Sequence, residues 1–156
     1  MNKTVIELLK KRNWHISFAE SMTGGACASY LVLAPGASVV MEKSYVTYSN
    51  QAKHDMIGVS LKTIDKFGVV SEEVAREMAS CLFKKTKSQV CVSVTGHAGP
   101  PSLNDKLEGE VYVCIKVLDQ YYDYYFSYPK PDNRESIIMI TKDRIFAEVI
   151  NILMNM

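Results

Sequence analysis

Ala19-Glu20-Ser21-Met22-Thr23-Gly24-Gly25 lies between a short apolar run, Ile16-Ser17-Phe18, and a run from Ala26 to Leu33 that reads as helix. A strand, a glycine turn and a helix in that order put hydroxyl groups beside backbone N–H groups that lack an intrahelical partner. Such a place can hold a phosphate, or the oxyanion of an acyl-transfer intermediate. The same residues also suit a plainer role, with Ser21 or Thr23 as a helix N-cap and the glycines making a tight turn.

Outward from this stretch the pattern alternates helix and strand. Residues 3–12 put Val5, Ile6, Leu8 and Leu9 on one face and end in Lys10-Lys11-Arg12, an amphipathic helix with charges suited to its dipole. Trp14 to Phe18 reads as the first strand, and a helix follows from about Thr23 to Leu33. Ser38 to Met41 reads as a helical turn and Lys43 to Tyr48 as a β-branched and aromatic strand. Ser49-Asn50 opens a helix to about Met56, with Gly58 beyond its end. Ser60 to Phe67 reads as a helix closed by Gly68, and Ser71-Glu72-Glu73 opens another that runs to about Lys87. Gln89 to Val94 is a short apolar run, as expected of a central buried strand, and Thr95 to Pro101 reads as a loop. Residues 102–108 are polar. Glu110–Val117 and Gln120–Tyr128 make a hairpin about Leu118-Asp119, ended by Pro129 to Pro131. The last helix starts at Asn133 with Ile137, Ile140, Ile145, Val149 and Leu153 inward.

The expected fold is α/β, a three-layer α/β/α arrangement on a mixed sheet, in one domain spanning 1–156. Ligands in such folds sit at the carboxyl ends of parallel strands. Three segments fall there: Glu20 to Gly25, Ser49 to Lys53, and Thr95 to Pro101. Their convergence raises Ser21 above a mere cap.

Composition narrows the function classes. The chain has 156 residues, 47% apolar and 22% charged, with net charge +1, so no nucleic-acid surface is expected. No apolar run approaches a membrane span, and Glu7 interrupts the N-terminal apolar segment, so no membrane association and a cytoplasmic location are expected. Cys27, Cys81, Cys91 and Cys114 form no C-x-x-C pair, and His15, His54 and His97 have no ligand spacing. Buried free thiols, no metal and no cofactor are expected.

A serine nucleophile needs a base. His97, in the third segment, is one candidate, without an evident helper carboxylate. Lys53, one helical turn past the strand carrying Tyr48, is the other, if burial lowers its pKa. A tyrosine hydroxyl could relay a proton or hold the lysine. His54 reads as surface. The dinucleotide and P-loop glycine patterns are absent.

Five motifs in order then resemble the CinA C-terminal domain family: residues 19–25, Val46-Thr47-Tyr48-Ser49-Asn50-Gln51-Ala52-Lys53, Ile57-Gly58-Val59, Gly68 to Ala75, and Val94-Thr95-Gly96-His97-Ala98-Gly99-Pro100. They span nearly the whole chain. The resemblance implies a self-associating α/β/α domain, a homo-oligomer. It also implies deamidation of a small nucleotide, nicotinamide mononucleotide, by a serine–lysine mechanism. On that basis Ser21 is the nucleophile, Lys53 the general base and Tyr48 their assistant. N–H groups near Thr23, Gly24 and Gly25, or at Thr95-Gly96, hold the oxyanion; Asn50 lies in the second segment; Arg134 meets an anionic part of the substrate. The chain departs from the family where Pro101-Ser102-Leu103-Asn104-Asp105 replaces a glycine-rich segment, and where His97 replaces an apolar residue. The rival expectation is a module of the same fold that binds nucleotide or protein but has lost turnover.

Overall fold

The computed structural model describes residues 1–99, 109–128 and 133–156. The expectations for the 100–105 segment, for the polar residues 102–108 and for Pro129 to Pro131 lie outside them. The elements run α1 (Asn2–Arg12), β1 (Ile16–Glu20), α2 (Ala26–Val32), α3 (Ala37–Val40), β2 (Tyr45–Val46), α4 (Asn50–Ala52) and a π-helical turn (Lys53–Ile57). Then follow α5 (Leu61–Phe67), α6 (Glu72–Thr86), β3 (Val90–Gly96), β4 (Glu110–Val117), β5 (Gln120–Ser127) and α7 (Arg134–Met154).

The strands form one mixed sheet in the order β2-β1-β3-β4-β5. β2, β1 and β3 are parallel, and β4 and β5 complete the sheet as an antiparallel hairpin. One face packs on α1, α2, α3 and α7 around Phe18, Val92, Ile115 and Phe146. The other packs on α5 and α6 around Ala19, Val74, Met78, Leu82 and Cys91. The molecule is the three-layer α/β/α domain that the element pattern requires.

Several boundaries differ from those read in the sequence. β1 continues to Glu20, with all five residues buried, because the Glu20 carboxylate finds backbone N–H partners inside the fold. α2 starts at Ala26 rather than Thr23, since Gly24 and Gly25 have φ of 58° and 100°, outside the right-handed helical region. The strand expected over 43–48 shrinks to Tyr45–Val46, an edge pair held against Ala19 and Glu20. β3 runs two residues further, through Thr95-Gly96. Ile140 is exposed, not buried; Thr141 takes the inward position, and its hydroxyl donates to that of Tyr128 at 3.2 Å.

Candidate active site

Ser21 is the first residue past β1, and its N–H extends the parallel ladder by donating to Val94 O at 3.1 Å. The chain then turns, with Gly24 N–H on Ser21 O at 3.0 Å. Only 7% of Ser21 is exposed. Lys53 reaches it from across the β1–β2 edge. The Ser49 hydroxyl caps α4 by accepting Ala52 N–H at 3.0 Å, and the helix widens into its π turn at Lys53. The Lys53 side chain is fully buried. Its Nζ lies 3.0 Å from Ser21 Oγ and 2.9 Å from Thr47 O. Among the described residues no carboxylate forms an ion pair with it. Burial alone lowers its pKa from 10.5 to about 8. The lysine is thus a buried amine held beside a hydroxyl, not a solvated helix residue.

Among the described residues, Tyr48 makes no hydrogen bond to Lys53. Its exposed hydroxyl accepts from Arg134 Nη2 at 2.7 Å, and the acceptor for Lys53 is the preceding residue's carbonyl. Arg134, at the start of α7, also donates through Nη1 to Gly99 O at 2.9 Å. It therefore ties the end of the chain to the loops after β2 and β3. Asn133 caps α7 by accepting Ser136 N–H at 2.8 Å.

A cavity of about 280 Å³ opens over the Ser21–Lys53 pair, lined also by Tyr48, Asn50, Gly96 and Arg134. Thr95 borders it, but its hydroxyl is taken by Val69 O at 2.8 Å. Gly96 N–H is differently placed. His97 N–H pairs with Glu110 O on the β4 side, so by strand alternation Gly96 faces the β1 side, beyond the last rung at Ser21. A Cβ on Gly96 would stand 2.7 Å from Glu110 O, which explains the glycine.

Thr23, Gly24 and Gly25 line a second cavity of about 540 Å³ on the other side of Arg134, with Ile138 and Met139. Contrary to the expectation of open N–H groups at the N-terminus of α2, those of Gly24 to Ala28 are all taken. Gly25 and Cys27 N–H donate to Glu20 Oε2 at 3.1 and 3.0 Å, and Ala28 N–H to Oε1 at 2.9 Å. A carboxylate of the protein already occupies that anion position. Sequence reasoning missed Glu20 and Thr47. The available signal was an acid closing a buried apolar strand just before a glycine turn, since such a charge must be satisfied internally.

Among the described residues, no histidine hydrogen-bonds Ser21 Oγ. His54 is exposed, its Nδ1 2.9 Å from Val59 O. His97 is half-buried at the rim of the 280 Å³ cavity. All four cysteines are free, and burial pushes their thiols up, Cys91 to about 11. Among the described residues no group of three His, Cys, Asp or Glu is arranged to hold a metal, and no helix is long and apolar enough to cross a membrane.

Comparison with known proteins shows the family and the fold. Residues 1–153 match the family model of the CinA C-terminal domain. The CinA-like protein of Fervidobacterium nodosum is 49% identical over 117 residues, 75% of this chain and 28% of its own length. That of Petrotoga mobilis is 50% identical over 97 residues, 62% of this chain and 24% of its own. The chain therefore spans less than a third of these curated relatives. Among solved structures, the competence/damage inducible protein CihA from Agrobacterium tumefaciens superposes with a TM-score of 0.88 at 30% identity, covering 99% of this chain and 92% of that one. A CinA superfamily protein from Klebsiella pneumoniae 700603 shares the fold, with a TM-score of 0.92 at 22% identity over 99% and 96% of the two chains. The chain belongs to the CinA C-terminal domain family.

Proposed function

We propose that this chain is an amidase that hydrolyses the carboxamide of nicotinamide mononucleotide to the acid and ammonia, with Ser21 as nucleophile and Lys53 as general base. The observation that carries the reading is the 3.0 Å contact between Lys53 Nζ and Ser21 Oγ, with the lysine fully buried. A binding module has no need of a desolvated lysine beside a serine; an acyl-transfer enzyme does.

The chemistry follows from the hydrogen-bond geometry. In neutral Lys53 one N–H stays on Thr47 O, which leaves the nitrogen lone pair for the Ser21 hydroxyl proton. Ser21 Oγ attacks the carboxamide carbon as its proton passes to Nζ. The N–H of Gly96, which lines the cavity, is a main-chain donor that the carbonyl oxygen can use as it gains charge. The Lys53 ammonium then returns the proton to the amide nitrogen, the C–N bond breaks and ammonia leaves an acyl-Ser21. Water attacks that ester as Lys53 again takes a proton; the Ser21–acyl bond then breaks, the Lys53 ammonium returns the proton to Ser21 Oγ, and the acid departs.

Arg134 supports a nucleotide as substrate. Its guanidinium borders both cavities, and among the described residues its hydrogen-bond partners are a carbonyl and a hydroxyl, neither of which neutralises its charge toward a phosphate. The first test is ammonia release from nicotinamide mononucleotide by the purified protein, with Ser21→Ala alongside. Release by the wild type and none by the variant is expected. Equal release from both would remove Ser21 from the mechanism, and none from either would overturn the substrate.

A further inference from the structure

Glu20 has no role in the chemistry just described, yet it adjoins Ser21 in the chain and bonds Thr47, the residue that orients Lys53. It is 1% exposed. Its carboxylate takes the N–H groups of Gly25, Cys27 and Ala28 at 2.9–3.1 Å. Gly25, the residue at the N-cap position of α2, makes no side-chain cap of its own. The turn carrying Ser21 is therefore closed at both ends by one residue, which precedes Ser21 in the chain and grips the helix after it. The main-chain oxygen of Glu20 accepts Thr47 N–H at 2.7 Å and, more weakly, its hydroxyl at 3.4 Å. The carbonyl of Thr47 is the one that takes Lys53 Nζ.

We infer that Glu20 is a positioning residue that sets the distance between Ser21 and Lys53, its carboxylate fixing the nucleophile's turn and its carbonyl fixing the strand that orients the base. This rests on the serine–lysine reading above. Reaction rates depend steeply on such placement: a shift near 1 Å costs on the order of 100-fold. Glutamine in place of Glu20 keeps the shape but has one acceptor oxygen. Its NH₂ would face a backbone N–H, so the grip on α2 loosens and Ser21 drifts from Lys53.

The test separates positioning from substrate choice by using two readouts. One is turnover of nicotinamide mononucleotide; the other is the rate at which a fluorophosphonate modifies Ser21, read by intact mass. In that reaction the Ser21 oxygen–phosphorus bond forms and fluoride leaves. Glu20→Gln is expected to lower kcat at least tenfold with KM within twofold, and to slow Ser21 labelling by a similar factor, in a protein whose near-ultraviolet circular dichroism matches the wild type. Glu20→Asp, which keeps the charge but shortens the reach, should fall between the two.

A folded variant that labels and turns over within twofold of the wild type would overturn the inference. So would failure of both variants to fold, since Glu20 would then serve the fold alone. Labelled wild-type protein that does not hydrolyse the nucleotide would overturn the substrate reading and leave the labelling comparison to decide on Glu20. Wild-type protein that is neither labelled nor active would remove the dyad, and the inference with it.

Discussion

Lys53 carries two opposed demands in one side chain. Burial lowers its pKa to about 8, far below its value of 10.5 in water. On the proposed mechanism the neutral amine is the active form, so kcat/KM should rise with pH through about 8. The sign for stability follows from proton counting. Between about pH 8 and 10.5 the unfolded chain holds a proton on this lysine that the folded chain has lost, so stability gains on raising pH across that window. Below it, both states are charged and the folded state bears the full cost of a buried ammonium. Lys53→Met should therefore abolish turnover while raising stability at pH 7 by roughly 1–3 kcal/mol, measurable by denaturant titration. A variant that is inactive and strongly destabilised would instead make Lys53 a structural member of the core. The residues themselves were legible. Ser21 and Lys53 stand where strand ends meet polar loops, and the motif resemblance named their roles. The acceptor that orients Lys53 was not legible, because it is the carbonyl of Thr47, and a main-chain atom leaves no mark in residue identity.

At the scale of elements, the strand ends decide where the dyad meets, and they are what pattern reading places least well. The sequence places the end of the first strand at Phe18, but β1 continues through Glu20, whose carboxylate is solvated by backbone N–H groups rather than by water. Thr95-Gly96 reads as loop in the sequence. The structure uses that glycine for a close approach to β4 instead. Gly96→Ala tests this. A methyl group there meets Glu110 O at 2.7 Å and Val111 Cγ2 at 2.9 Å, so the β3–β4 pairing must shift. A loss of about 1–3 kcal/mol in unfolding free energy is expected, with lower turnover as Gly96 N–H moves. Unchanged stability would show that the strand ends part freely. The helix starts were easier, because caps are written in side chains: the Ser71 hydroxyl accepts Val74 N–H, as the Ser-Glu-Glu signal implies. The exposure of Ile140 has a similar local cause. The inward stripe of α7 passes through Ile137, Thr141 and Ile145, and a residue three beyond Ile137 falls to its side.

At the scale of the molecule, the order β2-β1-β3 makes the carboxyl end of β1 a switch point. The chain leaves β1 to build β2 on one side and returns to build β3 on the other. A crevice at such a point is where ligands bind in open α/β sheets. The residue pattern alone predicts three converging segments, and only the family resemblance implies that Arg134 at the start of α7 joins them. Arg134 bonds Tyr48, 86 positions away in the chain, and Gly99, 35 positions away. If its guanidinium holds the phosphate, then Arg134→Ala should raise KM for nicotinamide mononucleotide at least tenfold and change kcat little. Nicotinamide riboside, which lacks the phosphate, should lose almost nothing. Arg134→Lys should restore only part of the binding, because an ammonium cannot keep both neighbours and still present a two-pronged face to phosphate. Equal losses with both substrates would mean that Arg134 serves by tying α7 to the loops. The phosphate would then need another partner, and the N-terminus of α2 is not free to be one while Glu20 fills it.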